Sequence, residues 1–161
     1  MNQPKLFDQL HASAKPQADE ILTADYVMVA YADGGSRGNP GPAAIAHALY
    51  DSVGNLIEKN AKCIGEHTNN EAEYEAILWA IEKVRERRCG KVKIFTDSEF
   101  VVKQVKGVYD RKDPRMAQYA RRVEANLRLF DSFELNHIPR TNKRQAMVDS
   151  MVNAALDAKG S

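Results

Sequence analysis

Four carboxylates stand in four separate parts of this 161-residue chain. Asp33 lies in YADGGSRGNPGP, Glu73 in TNNEAEYEA, Asp97 in VKIFTDSEF and Asp149 in VDSMVNAALD. The first and third are expected to close apolar strands, the second to sit on a helix, and the fourth to open a last helix. Gathered in space, such groups offer hard oxygen ligands to divalent cations, the usual equipment for hydrolysing phosphodiester bonds. No cluster of cysteine and histidine points to zinc. Cys63 and Cys89 stand far apart in no ligand motif and read as free thiols.

Each carboxylate also has an ordinary reading. Asp33 can cap the turn that follows it. Asp97 has Ser98 beside it to cap the next helix, which favours chemistry for the aspartate. On a helix Glu71, Glu73 and Glu75 point in three directions. At least one is therefore expected to be a solvated residue that favours the positive helix terminus, and spacing selects none of them. Asp149 can be a first-turn helix aspartate.

The elements that must position these groups follow from periodicity. YVMVAYAD reads as a buried strand ending at Asp33, followed by the glycine- and proline-rich turn GGSRGNPGP. AAIAHALYD and NLIEKNAKCIGEH read as two more strands joined at residues 51–55, so the first three strands form an antiparallel meander. TNNEAEYEAILWAIEKVRERR is the strongest helix, capped by Thr68 or Asn69 and ended by Gly90. KVKIFT is a fourth strand ending at Asp97, and a helix begins at SEFVVKQVKG. Pro114 fits the first turn of another helix running to Phe130. DSFELNHIP is a fifth strand stopped by Pro139, and residues 145–158 form the final helix. The order β-β-β-α-β-α-α-β-α implies an α/β chain, a mixed sheet with helices packed on it. Residues 1–24 read as an appendage, with a short helix at residues 5–12 interrupted by Pro16. Residues 25–158 form the main domain and residues 159–161 a tail.

Hydrophobic residues make up 43% and charged residues 28%, ordinary for a globular domain with a real core. No apolar run approaches the roughly 20 residues needed to span a membrane, and the start lacks the features of a secretory signal. A cytoplasmic monomer is the expectation. The net charge of +1 suggests no partner, but its distribution does. Lys103, Lys106, Arg111, Lys112, Arg115, Arg121 and Arg122 crowd one segment, and Arg140, Lys143 and Arg144 another. Such clusters attract phosphates or are simply the solvated faces of helices.

Taken together and in order, DGGSRGNPGPAA, TNNEAEYEA, IFTDSEFVVKQVKG and DSMVNAALD resemble the four signature blocks of type 1 ribonuclease H. The similarity runs from about residue 26 to 157. It implies the ribonuclease H-like fold, a five-stranded mixed sheet with helices on both faces. It also implies an endonuclease that hydrolyses the RNA strand of RNA–DNA hybrids, leaving 5′-phosphate and 3′-hydroxyl ends. Matched position by position, Asp33, Glu73, Asp97 and Asp149 are the catalytic, metal-binding carboxylates, and the T-N-N-x-x-E pattern selects Glu73. Two Mg2+ or Mn2+ ions are implied as cofactors. Gly34, Asn69, Asn70 and Glu99 match positions that touch RNA, and Asn39 and Thr68 positions that hold a DNA phosphate.

Three departures matter. The stretch from Ser98 to Phe130 is too short for the basic protrusion of many members, so the chain resembles the compact subtype. His137 and His67 do not match the family's mobile histidine, and Arg140, after Ile138-Pro139, takes an auxiliary place. The interval from Asn142 to Asp149 is longer than usual, so the last helix is expected to start early or carry an extra turn. Binding of hybrids without cutting, or another nuclease of the same superfold, stay open as alternatives.

Overall fold

The computed structural model describes residues 26–160; the expected short helix at residues 5–12 lies outside them. Three antiparallel strands come first: β1 (Val27–Ser36), β2 (Gly41–Tyr50) and β3 (Leu56–His67). Helix α1 (Asn69–Glu86) leads to β4 (Lys91–Thr96), then α2 (Glu99–Val105), α3 (Pro114–Leu127), β5 (Ser132–His137) and α4 (Lys143–Gly160). The sheet order is β3-β2-β1-β4-β5, with β4 parallel to both β1 and β5. This is the five-stranded mixed sheet expected from the residue pattern.

Strand alternation divides the core in two. Met28, Ala30 and Ala32 of β1, with Ile45 and Leu49 of β2, pack under α1, α2 and α3 around Tyr74, Ile77 and Trp79. On the opposite face Tyr31, Ala44, Ala46, Ala48 and Tyr50 meet Val148, Val152 and Leu156 of α4. The alanines leave that side of the sheet flat, so a single helix can lie close on it. Among the described residues no helix is long and apolar enough to cross a membrane.

Several boundaries differ from expectation, each for a visible reason. β1 does not stop at Asp33 but runs on to Ser36, because β2 continues to pair with it through Gly35↔Ala44 and Ser36↔Ala43. The turn is confined to residues 37–40, closed by Arg37 N–H donating to the Pro42 carbonyl at 2.8 Å. α1 ends at Glu86 rather than at Gly90: Arg88 itself takes the left-handed conformation (φ 56°) usually left to glycine. α3 ends at Leu127, short of Phe130. α4 spans 143–160 rather than 145–158, because Asn142 caps it: its Oδ1 accepts from the N–H groups of Arg144 (3.0 Å) and Gln145 (3.1 Å). The long interval is thereby absorbed as helix, and Asp149 stands in its second turn, not its first.

The start of α1 is locked from two sides. Thr68 Oγ1 accepts the Glu71 N–H at 3.1 Å, and Glu71 Oε1 accepts the Thr68 N–H at 2.8 Å, a reciprocal capping box. Arg115 Nε of α3 then reaches Glu71 Oε2 at 2.6 Å. None of the three neighbouring glutamates is free on the surface: Glu71 and Glu73 are buried, and Glu75 accepts a 2.6 Å bond from the Tyr119 hydroxyl. The partners of Glu71 and Glu75 lie on α3, out of reach of any local reading. Glu71→Ala should cost about 1–2 kcal/mol through loss of the cap, read as a lower denaturation midpoint with an unchanged slope.

Candidate active site

The β1/β4 register decides where the carboxylates meet. β1 pairs with β4 only as far as Ala32↔Thr96. β4 ends there, while β1 continues against β2 alone. Asp33 and Asp97, the next residues on each strand, therefore flank the point where the sheet splits, the place where α/β sheets commonly open a ligand crevice. Ser98 caps α2 through the Val101 N–H at 3.3 Å, which leaves Asp97 free of that duty.

α1 brings the third group. Gly34 lies so close beneath it that a Cβ there would stand 2.1 Å from the Ala72 carbonyl oxygen. Through this contact the Gly34 N–H reaches Glu73 Oε1 at 3.2 Å. One carboxylate oxygen from each of Asp33, Glu73 and Asp97 falls within 4.8 Å of the others. Asp149 of α4 is not in that trio. It lines a cleft of about 230 Å³ with two of the three, Asp33 and Glu73, and with Gly34, Asn69 and Arg140. Arg140 bridges the two parts: its Nε is 2.7 Å from Asp97 Oδ2 and 3.7 Å from Asp149 Oδ1.

This crowding has an electrostatic signature. Burial, then the charges of Glu73 and Asp97, push the Asp33 carboxyl up to about 10. Burial and the Asp97 charge push Glu73 up to about 8. The hydrogen bond to Asp97 raises the Arg140 guanidinium above its ordinary value. Oδ1 of Asp33 and Oδ1 of Asp97 are buried with no hydrogen-bond partner among the described residues. Buried acceptors without donors, on carboxylates that repel one another, fit a set that divalent cations complete.

Of the remaining predicted residues, Asn69 lines the cleft beside Gly34 and Arg140, whereas Asn39, Thr68, Asn70 and Glu99 do not. Asn39 Oδ1 accepts the Asn69 N–H at 2.9 Å, and Asn69 Oδ1 accepts the Ser36 N–H at 3.3 Å. The β1–β2 turn is thus laced to the start of α1, with Thr68, not an asparagine, as the cap. Asn70 is exposed one residue on, lining a neighbouring depression with Phe100 and Tyr109. Glu99 is exposed and paired with Lys103 at 2.8 Å. Arg37 was not singled out by the residue pattern; it bridges to Asp157 at 2.6 Å and to the Asn153 carbonyl at 3.3 Å, tying the turn to α4. His137, at the end of exposed β5, contributes nothing to the cleft.

Residues 31–155 match the family model described as "Reverse transcriptase-like". The chain is 35% identical to an RNase H1 from the halophilic archaeon Halobacterium salinarum of known structure, with a TM-score of 0.78, covering 82% of this chain and 98% of that one. The chain belongs to the type 1 ribonuclease H family. LC11-RNase H1, solved in complex with an RNA/DNA hybrid, is likewise 35% identical, with a TM-score of 0.74 over 83% of this chain and 99% of that one. A curated ribonuclease HI of Halobacterium salinarum is 38% identical over 128 residues, 80% of this chain but 63% of its own length. A bifunctional protein of Mycobacterium tuberculosis is 30% identical over 132 residues, 36% of its length. The chain thus spans less than two thirds of these curated relatives.

Proposed function

We propose that this chain is a metal-dependent endonuclease that hydrolyses the RNA strand of RNA–DNA hybrids, leaving 5′-phosphate and 3′-hydroxyl ends. The observation that carries this reading is the trio Asp33, Glu73 and Asp97 at the sheet split, in a member of the type 1 ribonuclease H family. Asp33, Glu73, Asp97 and Asp149 hold two Mg2+ or Mn2+ ions. Such ions supply charge for the developing transition state and acidify bound water. The chain's own part is to keep four carboxylates at one spot, to present them deprotonated once cations arrive, and to orient the phosphate.

Substrate recognition falls to the laced turn and the start of α1. The side-chain amides of Asn69 and Asn70 have donors and acceptors suited to riboses and base edges, and Gly34 and Glu99 border the same path. Asn39 and Thr68 lie beside a helix N-terminus, a favourable place for a DNA phosphate. Lys106, Lys112 and Arg121 are exposed with no ion pair among the described residues and add salt-dependent attraction. The catalytic unit is residues 25–158, acting as a cytoplasmic monomer, with residues 1–24 appended.

Arg140 neutralises Asp97 before cations bind and donates to the substrate phosphate afterwards. Its side chain is 62% exposed, so the guanidinium can turn from one partner to the other. Arg140→Ala should lower kcat about tenfold with KM changed less than about threefold; an unaltered kcat in steady-state assays removes this role. The reading as a whole is checked on the products. Fragments cut from the hybrid should accept a 5′ label from polynucleotide kinase only after phosphatase treatment. Fragments labelled without phosphatase carry a 5′-hydroxyl, and the proposed chemistry is then wrong.

A further inference from the structure

Gln145 is completely buried, yet its side chain is only half satisfied. Nε2 donates to the Ala32 carbonyl at 2.9 Å, while Oε1 is buried without a partner among the described residues. The orientation is dictated by chemistry, because a carbonyl can only accept and the amide NH2 must face it. A leucine would fill much the same space without leaving a buried oxygen unpaired. For stability alone, glutamine is the wrong residue here.

Its two ends explain it. Ala32 immediately precedes Asp33, and it is the last residue of β1 paired with β4. On α4, Gln145 stands four residues before Asp149, one turn away on the same face of the helix. The core contacts of α4 with this face of the sheet are apolar and aromatic, Tyr31, Ala44, Ala46, Ala48 and Tyr50 against Val148, Val152 and Leu156. Such contacts are non-directional and permit a helix to slide or roll. Other bonds to α4, from Arg37 of the β1–β2 turn and Cys63 of β3, lie toward its far end and are not fully buried. Arg144 adds its guanidinium, set over the rings of Tyr50 (3.8 Å) and, more distantly, Tyr31 (5.6 Å), contacts without a fixed hydrogen-bond direction.

We infer that Gln145 is a positioning residue that sets the register of α4 on β1, and so holds Asp149 at the distance from Asp33 that shared cation binding requires. The inference rests on the proposed roles of those two aspartates. It concerns a part of the chain, TNKRQAMV, that the family resemblance left unexplained.

Gln145→Leu and Gln145→Met test it, with three readings on each protein: melting temperature without metal, Mn2+ binding by calorimetry, and kcat and KM on a hybrid. Both variants should melt at or above the wild-type temperature. Mn2+ should bind at least about fivefold more weakly, and kcat should fall at least about tenfold with KM within about twofold. Stability and activity then move apart, which a merely structural glutamine would not produce. Unchanged Mn2+ binding and kcat overturn the inference, as does a loss of kcat that follows a loss of melting temperature, or failure of both variants to fold. If the wild-type chain cuts no hybrid, the proposed activity fails, while Mn2+ binding and melting still decide the role of Gln145.

Discussion

Asp33→Asn should reduce hybrid cleavage at least about a thousandfold while making the metal-free protein more stable. Asp33 is 2% exposed and crowded by Glu73 and Asp97. Asparagine keeps the shape and removes both the ligand charge and the repulsion. The sign of the stability effect follows from linkage. The carboxyl titrates near 3.8 when free and near 10 in the fold. Between those values the folded chain binds more protons than the unfolded one, so wild-type stability falls as pH rises. The variant has no such group, and its advantage should widen from about pH 4 upward and level off near 10. Around neutral pH, without cations, its melting temperature should be roughly 5 °C higher or more. Adding Mn2+ should narrow or reverse the difference, because only the wild type regains stability through a complete ligand set. A variant that melts no higher than the wild type at any pH would show that Asp33 is not under electrostatic strain.

Gly34→Ala should be strongly damaging to both the fold and the site. The added Cβ would stand 2.1 Å from the Ala72 carbonyl oxygen and 3.0 Å from the Glu73 nitrogen. Both are backbone atoms of α1, so no side chain can turn aside and the helix itself must lift. That separation breaks the Gly34 N–H bond to Glu73 and moves Glu73 away from Asp33 and Asp97. Overpacking against backbone costs about 3 kcal/mol here, at the upper end of its usual range. For a chain of this size that is a fall of about 10 °C in melting temperature. Cleavage should drop by at least about a hundredfold in the fraction that remains folded. Gly35→Ala is the control: its Cβ would meet only Asn69 Oδ1 at 3.6 Å and Val152 at 3.8 Å, ordinary contacts. If both variants melt alike, the close approach at Gly34 is not what seats α1.

Much of this arrangement is legible in the chain itself, because it rests on local periodicity. The apolar run AAIAHALYD reads as a strand, and β2 forms there, with Ala44, Ala46 and Ala48 on one face and Ile45 and Leu49 on the other. What escaped local reading depends on distant partners. Asp33 looks like a strand end because glycines follow it; β2 carries the strand three residues further. At least one of Glu71, Glu73 and Glu75 reads as a solvated helix residue, because Arg115 and Tyr119, the partners of Glu71 and Glu75, stand about forty residues away in sequence. Arg88 in a left-handed conformation cannot be read from composition, since its neighbour Gly90 is the stronger signal. Gln145 carried no signal of its own, because a polar residue in a helix reads as exposed until the sheet is laid beneath it. Of the four carboxylates, three converge as a cluster and Asp149 joins through Arg140, a relation that no spacing rule supplies.

The central claim is tested most directly by cleavage specificity. End-labelled RNA–DNA hybrid, RNA duplex, single-stranded RNA and DNA duplex are each incubated with the protein in Mg2+, with and without chelator. Cutting confined to the RNA strand of the hybrid, and abolished by chelator, is the predicted result. Binding of the hybrid without cutting in either Mg2+ or Mn2+, or equal cutting of single-stranded RNA, would contradict it.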